Sequence, residues 1–271
     1  MTARTYAEVI GDPIAHSKSP LIHRFWLDAL GLAGDYRATH ILADALPDYI
    51  AARRDDADWA GCNITVPHKV AALDLIEDRG DVRGSIGAIN TIFRAEDGVL
   101  VGTNTDAAGF YAPLAEADLA GAPVTVIGNG GAARAVLFAL SRMGVGPVTI
   151  LARSPLKGAA LLARFGLKGD ALPIPAVAPA AALLVNTTTL GMTGQPPLDL
   201  DLGALADDAV VYDIVYTPLE TPLLRAARAR DLATIDGLDM LIGQAAVAFE
   251  LFFGREPPRN RDDDLRALLT G

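Results

Sequence analysis

Residues 62–69 read "CNITVPHK". Ile64, Thr65 and Val66 favour a pleated strand, and Pro67 cannot donate to its ladder, so the strand is expected to stop there. His68 and Lys69 then lie at the carboxyl end of a strand, where open α/β sheets place their ligands. A lysine there can stabilise developing oxyanion charge and deliver a proton; the plainer alternative is a solvated ammonium. His68, one residue away, should point to the opposite face and is read as a bystander. Ser17 and Ser19, in "HSKSP", are two hydroxyls just before a helix. They suit a carboxylate held together with the positive helix end, and equally suit plain helix capping. Asn63, Thr65, Asn90 and Asp106 each lie at or beside a strand end, as readers of a polyhydroxylated ligand or as turn and cap residues. Gln244 shares a helical face with Met240, Leu241 and Val247, where a satisfied core amide is the ordinary reading and a pocket-facing one the alternative.

A second kind of chemistry is written at residues 124–133, "VTVIGNGGAA". A strand runs into Gly128, Asn129, Gly130, Gly131 and Ala132 and then into a helix. Gly128 permits the tight turn, Gly130 lets backbone approach a pyrophosphate, and Ala133 keeps helix close to strand. By itself such a turn occurs in many α/β proteins; the second strand at the right distance raises it to a dinucleotide site. An NAD site places an acid at the tip of that strand to hold the ribose. Here the tip is "LARSPLKG", residues 151–158, without a carboxylate. Arg153 can stack on or pair with a 2′-phosphate, Ser154 can hydrogen-bond it, and Lys157 adds charge, so the expected cofactor is NADP.

Strands and helices alternate to position these groups. "TYAEVIG", "CNITV", "PVTVIG", "PVTILAR", "LLVNTT", "AVVYDIVY" and "ATIDG" read as strands. "SPLIHRFWLDALGL" reads as a helix with Ser19 as N-cap, Pro20 at its first position, Leu21, Ile22, Phe25, Trp26 and Leu30 as its apolar face, and Gly31 as its stop. "KVAALDLIEDRG" reads as a helix after Lys69. "GAINTIFRAEDGVLVGTNTD" reads as a hairpin turning at Asp97 and Gly98. Residues 171–182 form a Pro/Ala-rich connector. The alternation means a mainly parallel sheet with helices on its faces, an α/β fold.

The 271 residues suffice for one large domain or two ordinary ones, and with 51% hydrophobic and 21% charged residues the chain can bury a core. A net charge of −10 excludes a general nucleic-acid binder, which needs clustered Lys and Arg, but not an anionic small molecule. The single cysteine, Cys62, forbids an intrachain disulfide. With no signal-like or membrane-spanning apolar run, the expected setting is the cytoplasm, without membrane or nucleic-acid partners, as monomer or homodimer.

The blocks "GDPIAHSKSPLIH", "NITVPHK", "GAINTI", "GTNTD", "GNGGAARA", "NTTTLGM", "DIVYTPLETPLL" and "DGLDMLIGQAA" occur in an order that resembles the shikimate dehydrogenase family over essentially the whole chain. The resemblance implies that Ser17 and Ser19 hold the substrate carboxylate and that Asn63, Thr65, Asn90, Asp106, Tyr216 and Gln244 contact the rest of shikimate. It makes Lys69 the catalytic lysine, with Asp106 pairing with it. It assigns the pyrophosphate to Gly128–Ala132 and further cofactor contacts to Ala152, Arg153, Ser154, Lys157, Thr188, Met192, Ile214 and Gly237. The implied reaction is reversible, NADP-dependent reduction of 3-dehydroshikimate to shikimate.

The implied architecture is two domains. Residues 1–105, completed by 237–271, form a discontinuous substrate-binding α/β domain; residues 106–236 form a Rossmann-type NADP-binding domain, with the reaction in the cleft between them. Two departures stand out. The family's Asn-Arg-Thr tip with a later Arg is here Ala152, Arg153 and Ser154 with Lys157, a thinner clamp that leaves quinate oxidation and NAD or dual cofactor use as alternatives. Asp239 occupies a position where the family has a small residue. A catalytically silent NADP-binding sensor would be expected to lose Lys69 or Asp106, and both are present.

Overall fold

A computed structural model of the chain describes residues 5–271. They divide into two compact units, one comprising the described residues up to Thr105 together with Ile242–Gly271, the other Asp106–Leu241.

In the first unit the elements run β1 (Tyr6–Gly11), α1 (Ser19–Ala29), β2 (Asp35–His40), α2 (Leu46–Arg54), β3 (Trp59–Ile64), a single turn α3 (Val82–Ser85), β4 (Thr91–Arg94) and β5 (Leu100–Thr103). The sheet order is β2-β1-β3-β4-β5. β1 is parallel to β2 and β3, β4 is antiparallel to β3, and β5 is antiparallel to β4. The reversal has a useful result: the ends of β3 and β5 and the start of β4 meet at one edge, with Asn63 opposite Thr91 and Thr91 opposite Thr103. The β4–β5 hairpin turns where the sequence predicts. Gly98 has φ +83°, and the Ala95 N–H reaches the Val99 carbonyl at 2.9 Å.

Three expectations are corrected here. Ser19 is the first residue of α1 rather than its cap; Lys18 holds the cap position, and the Ser17 hydroxyl accepts the Ser19 N–H at 3.3 Å. The buried face of α1 is Ile22, His23, Trp26 and Leu27, while Leu21 is turned out. An aromatic cluster sets that face: Trp26 meets Phe249 edge-on at 5.5 Å, and His23 stacks on Tyr36 at 3.9 Å. The run after Lys69 is not a helix beyond one 3-10 turn, Ala71–Asp74. The chain is drawn out because Glu77 pairs along β5, bonding Leu100 and Gly102, and so satisfies an edge strand that would otherwise be open.

His23 is fully buried, and neither ring nitrogen has a partner. Burial pushes its imidazole down to about 3. Its folded value lies below the unfolded one, so the unfolded chain binds the proton first, and stability falls as pH drops from about 6.5 towards 3. The expected slope from this one group is about 1.4 kcal/mol per pH unit. His23→Phe keeps the ring stack and removes the titration. Its urea-unfolding free energy should therefore fall less on acidification than that of the native chain; parallel pH profiles would contradict the assignment.

The second unit begins with α4 (Asp106–Tyr111) and continues β6 (Val124–Ile127), α5 (Gly131–Met143), β7 (Val148–Leu151), α6 (Pro155–Phe165), β8 (Gly169–Leu172), β9 (Leu183–Asn186), β10 (Val210–Asp213), α7 (Pro222–Arg228) and β11 (Ala233–Ile235). Its sheet is parallel throughout, in the order β11-β10-β9-β6-β7-β8. Counted from β6, that is the doubly wound 3-2-1-4-5-6 order of dinucleotide-binding folds, with the strand order reversing beside β6. Val126, Ile150, Leu183 and Val185 are fully buried, as strands covered on both faces require.

β8 lies partly in the stretch read from the sequence as a connector. The division between the units falls inside α8 (Gly237–Phe253), at Leu241/Ile242, and α9 (Asp262–Thr270) belongs to the first unit. Among the described residues no helix is long and apolar enough to cross a membrane.

Candidate active site

The strand that precedes Lys69 ends at Ile64, earlier than Pro67 suggests. The chain then leaves the ladder in a turn: the Thr65 N–H still reaches the Ile10 carbonyl at 2.9 Å, and the His68 N–H closes on the Thr65 carbonyl at 3.0 Å. Lys69 follows, half-buried, and its carbonyl accepts the Ile89 N–H at 2.8 Å, which ties the lysine's backbone to the chain just ahead of β4. His68 is 1% exposed, and its Nε2 lies 2.7 Å from the Ile41 carbonyl. It anchors the loop after β2.

The other polar residues of this unit gather at the same edge of the sheet. The Asn63 side chain is buried: its Oδ1 accepts from the Tyr36 hydroxyl at 2.6 Å and its Nδ2 donates to Thr91 Oγ1 at 3.0 Å. Asn90 Oδ1 accepts the Thr105 N–H at 2.7 Å, and its Nδ2 donates to Thr105 Oγ1 at 2.9 Å and to Gln244 Oε1 at 3.3 Å. Gln244 is thus brought from α8 to the strand ends, although sequence reasoning favours a core amide there. Ser19 is buried at the start of α1, and Ser17 and Thr65 are half-buried. Tyr36, Thr91 and Thr105 were not singled out from the sequence. Hydroxyl and aromatic residues in strands read as strand formers, and only the polar run "GTNTD" marks one of them.

In the second unit the glycine loop has the conformation its residues demand. Gly128 has φ +111°, and a Cβ there would lie 2.5 Å from Thr187 Oγ1. At Gly130, which caps α5, a Cβ would meet nothing within 4 Å, so this backbone faces open space. The first turn of α5 holds no acid, and Ala133 is fully buried against the sheet. Uncapped amides, open space and no competing carboxylate fit a pyrophosphate. Asn129 Nδ2 donates to the Ser154 carbonyl at 3.0 Å and so ties the glycine loop to the tip of β7. At that tip Arg153 and Lys157 are exposed and Ser154 is half-buried, whereas Ala152 is packed in the core.

A buried carboxylate organises the remaining loops of this unit. Asp213 Oδ1 accepts from Asn186 Nδ2 at 2.9 Å and from the Val215 N–H at 3.1 Å, and Oδ2 accepts the Thr221 hydroxyl at 2.7 Å. Burial pushes its carboxyl up, against the pull of those donors. Thr188 gives its hydroxyl hydrogen to Asn186 Oδ1 at 2.7 Å and accepts the Leu190 N–H at 3.1 Å, so it holds the loop leading to half-buried Met192. Ile214 and Tyr216, after β10, are also half-buried. At Gly237 a Cβ would lie 2.3 Å from the Ile214 carbonyl, so α8 starts hard against that loop. Asp236 caps the helix, accepting the Leu238 N–H at 3.0 Å. Asp239 sits in its first turn, where a negative charge complements the helix dipole. Asp106 opens α4 and is 5% exposed.

Residues 9–92 match the family model described as the shikimate dehydrogenase substrate binding domain, and residues 237–265 match the shikimate 5′-dehydrogenase C-terminal domain. A protein of Sphingopyxis alaskensis named "Shikimate dehydrogenase (NADP(+))" is 68% identical, over 99% of this chain and 98% of its own. The crystal structure of shikimate 5-dehydrogenase from Thermus thermophilus in complex with NADP(H) and shikimate superposes with a TM-score of 0.86 at 37% identity, covering 98% of this chain and 99% of that one. The ligand-free 5-ketofructose reductase of Gluconobacter sp. strain CHM43 superposes with a TM-score of 0.87 at 28% identity, covering 99% and 100%. The similarity to the Sphingopyxis protein covers 99% of the chain and so extends over both units, and the chain belongs to the shikimate dehydrogenase family.

Proposed function

We propose that this protein is an NADP-dependent shikimate dehydrogenase that reversibly reduces 3-dehydroshikimate to shikimate on the route to aromatic amino acids. The observation that carries the reading is the 68% identity, over nearly the whole of both chains, to a relative named for that activity and cofactor. The protein works in the cytoplasm, where buried Cys62 stays reduced.

The hydride is the chemistry of NADP(H), which no side chain can supply. Gly128, Asn129, Gly130, Gly131 and Ala132 hold the pyrophosphate; Arg153, Ser154 and Lys157 read the 2′-phosphate; backbone at Ala152, together with Thr188, Met192, Ile214 and Gly237, shapes the rest of the cofactor site. Ser17 and Ser19 take the substrate carboxylate. Asn63, Thr65, Asn90, Tyr216 and Gln244 read the ring oxygens, with the Asn63 and Asn90 amides oriented by their hydrogen bonds within the fold. In reduction, the Lys69 Nζ gives a proton to the ketone oxygen as the carbon gains hydride, and in oxidation it takes the proton back. Asp106 is the carboxylate that assists it.

Folded protein given shikimate and NADP should produce NADPH and 3-dehydroshikimate in equal amounts. Protein that binds NADP yet forms no NADPH from shikimate would overturn the proposal.

A further inference from the structure

The Asp213 carboxylate is buried at the end of β10, and no step of the reaction uses it. Its partners fix its charge. The Thr188 N–H, which can only donate, meets one end of the Asn186 amide at 3.0 Å, and the Leu190 carbonyl, which can only accept, lies 3.1 Å from the other end. The first end is therefore Oδ1 and the second Nδ2, and it is Nδ2 that meets Asp213 Oδ1 at 2.9 Å. The Val215 N–H reaches the same oxygen at 3.1 Å. Thr221 Oγ1 already accepts the Leu224 N–H at 3.2 Å, so its own hydrogen goes to Asp213 Oδ2 at 2.7 Å. Three hydrogens thus converge on the group, and none of these partners offers it an acceptor. Asp213 is held as the anion, although burial opposes the charge.

A buried charge is costly, and what this one secures is the pair of loops that follow β9 and β10. Through Asn186 it holds Thr188 and Leu190, and with them the turn to Met192. Through the Val215 N–H it holds the chain between Ile214 and Tyr216. The Thr193 N–H, bonded to the Thr217 carbonyl at 2.8 Å, closes the two loops on each other. A doubly wound sheet binds a dinucleotide with its two halves, one mononucleotide to each. The glycine loop, Arg153, Ser154 and Lys157 follow β6 and β7, whereas Thr188, Met192 and Ile214 follow β9 and β10, on the other side of β6 in the sheet. We infer that Asp213 is a positioning residue for the nicotinamide half of the cofactor, which fixes the loops on that side and has no part in holding the adenosine half. The inference rests on the functional reading above and adds to it a residue that acts on hydride transfer from inside the fold.

Asp213→Asn keeps the shape, removes the charge and puts an amide nitrogen among donors. Calorimetric titration with adenosine 2′,5′-bisphosphate, which carries the 2′-phosphate and lacks the nicotinamide, should give the native affinity and so also report a folded cofactor domain. Affinity for NADP should fall several-fold, and kcat should fall by roughly a hundredfold, the effect of a misplacement of about 1 Å at the reacting groups. Thr221→Val, which removes one donor, should show a smaller loss in the same direction, and Thr221→Ser, which keeps the hydroxyl, should behave as native. Native NADP affinity and kcat in Asp213→Asn, or equal losses of affinity for the bisphosphate and for NADP, would overturn the inference. If Asp213→Asn does not fold, Thr221→Val against Thr221→Ser carries the same comparison. The two titrations need no substrate, so they are read apart from turnover of shikimate by the native protein, which tests the functional reading.

Discussion

Lys69→Met is expected to fold, to bind shikimate somewhat more weakly than the native protein, and to lose kcat by about 10²–10⁴-fold, the usual worth of general acid–base assistance. Methionine keeps most of lysine's length and removes its charge and proton, so packing and chemistry separate. The backbone tie from Lys69 to Ile89 survives the change, as do the buried amides and hydroxyls beside it. Lys69→Ala should lose as much as Lys69→Met. Asp106→Asn should also lower kcat while leaving a folded protein, since it preserves shape at the start of α4. Single-turnover hydride transfer separates these outcomes from slow product release. A near-native rate in folded Lys69→Met would move the proton elsewhere, and His68 could not take it over, held as it is on the Ile41 carbonyl at 2.7 Å.

The second large effect is expected at Arg153. Arg153→Ala should weaken NADP by roughly tenfold to a hundredfold and NAD far less, because a charge-assisted contact to a phosphate is lost only where there is a phosphate. The side chain is exposed at the tip of β7, and its loop is held from the other side by the Asn129–Ser154 bond, so removing it leaves the fold intact. Fluorescence titration with NADPH and NADH reads the ratio directly. Equal losses for the two nucleotides would remove the 2′-phosphate role from this residue.

The glycine loop, the strands on either side of it and the β4–β5 hairpin were legible in the sequence because each is decided locally. Gly128 and Gly98 sit at positive φ, where few other residues can, and the apolar runs around Val126 and Ile150 admit little but buried strands. What was misread was decided from elsewhere in the chain. The run after Lys69 has helical periodicity but is claimed by the edge of β5 through Glu77. The buried face of α1 is chosen by Tyr36 and Phe249 rather than by its own spacing. In the candidate site, Ser17, Ser19, Lys69 and Asp106 could be named from motif residues. Tyr36, Thr91 and Thr105 could not, because their importance lies in hydrogen bonds to partners far away in sequence.

An initial-rate panel of shikimate and quinate, each with NADP and with NAD at one alkaline pH, tests the central claim most directly. Shikimate with NADP should give the highest kcat/KM of the four pairs, with quinate and NAD each lowering it. Faster oxidation of quinate than of shikimate, or a preference for NAD, would contradict the account.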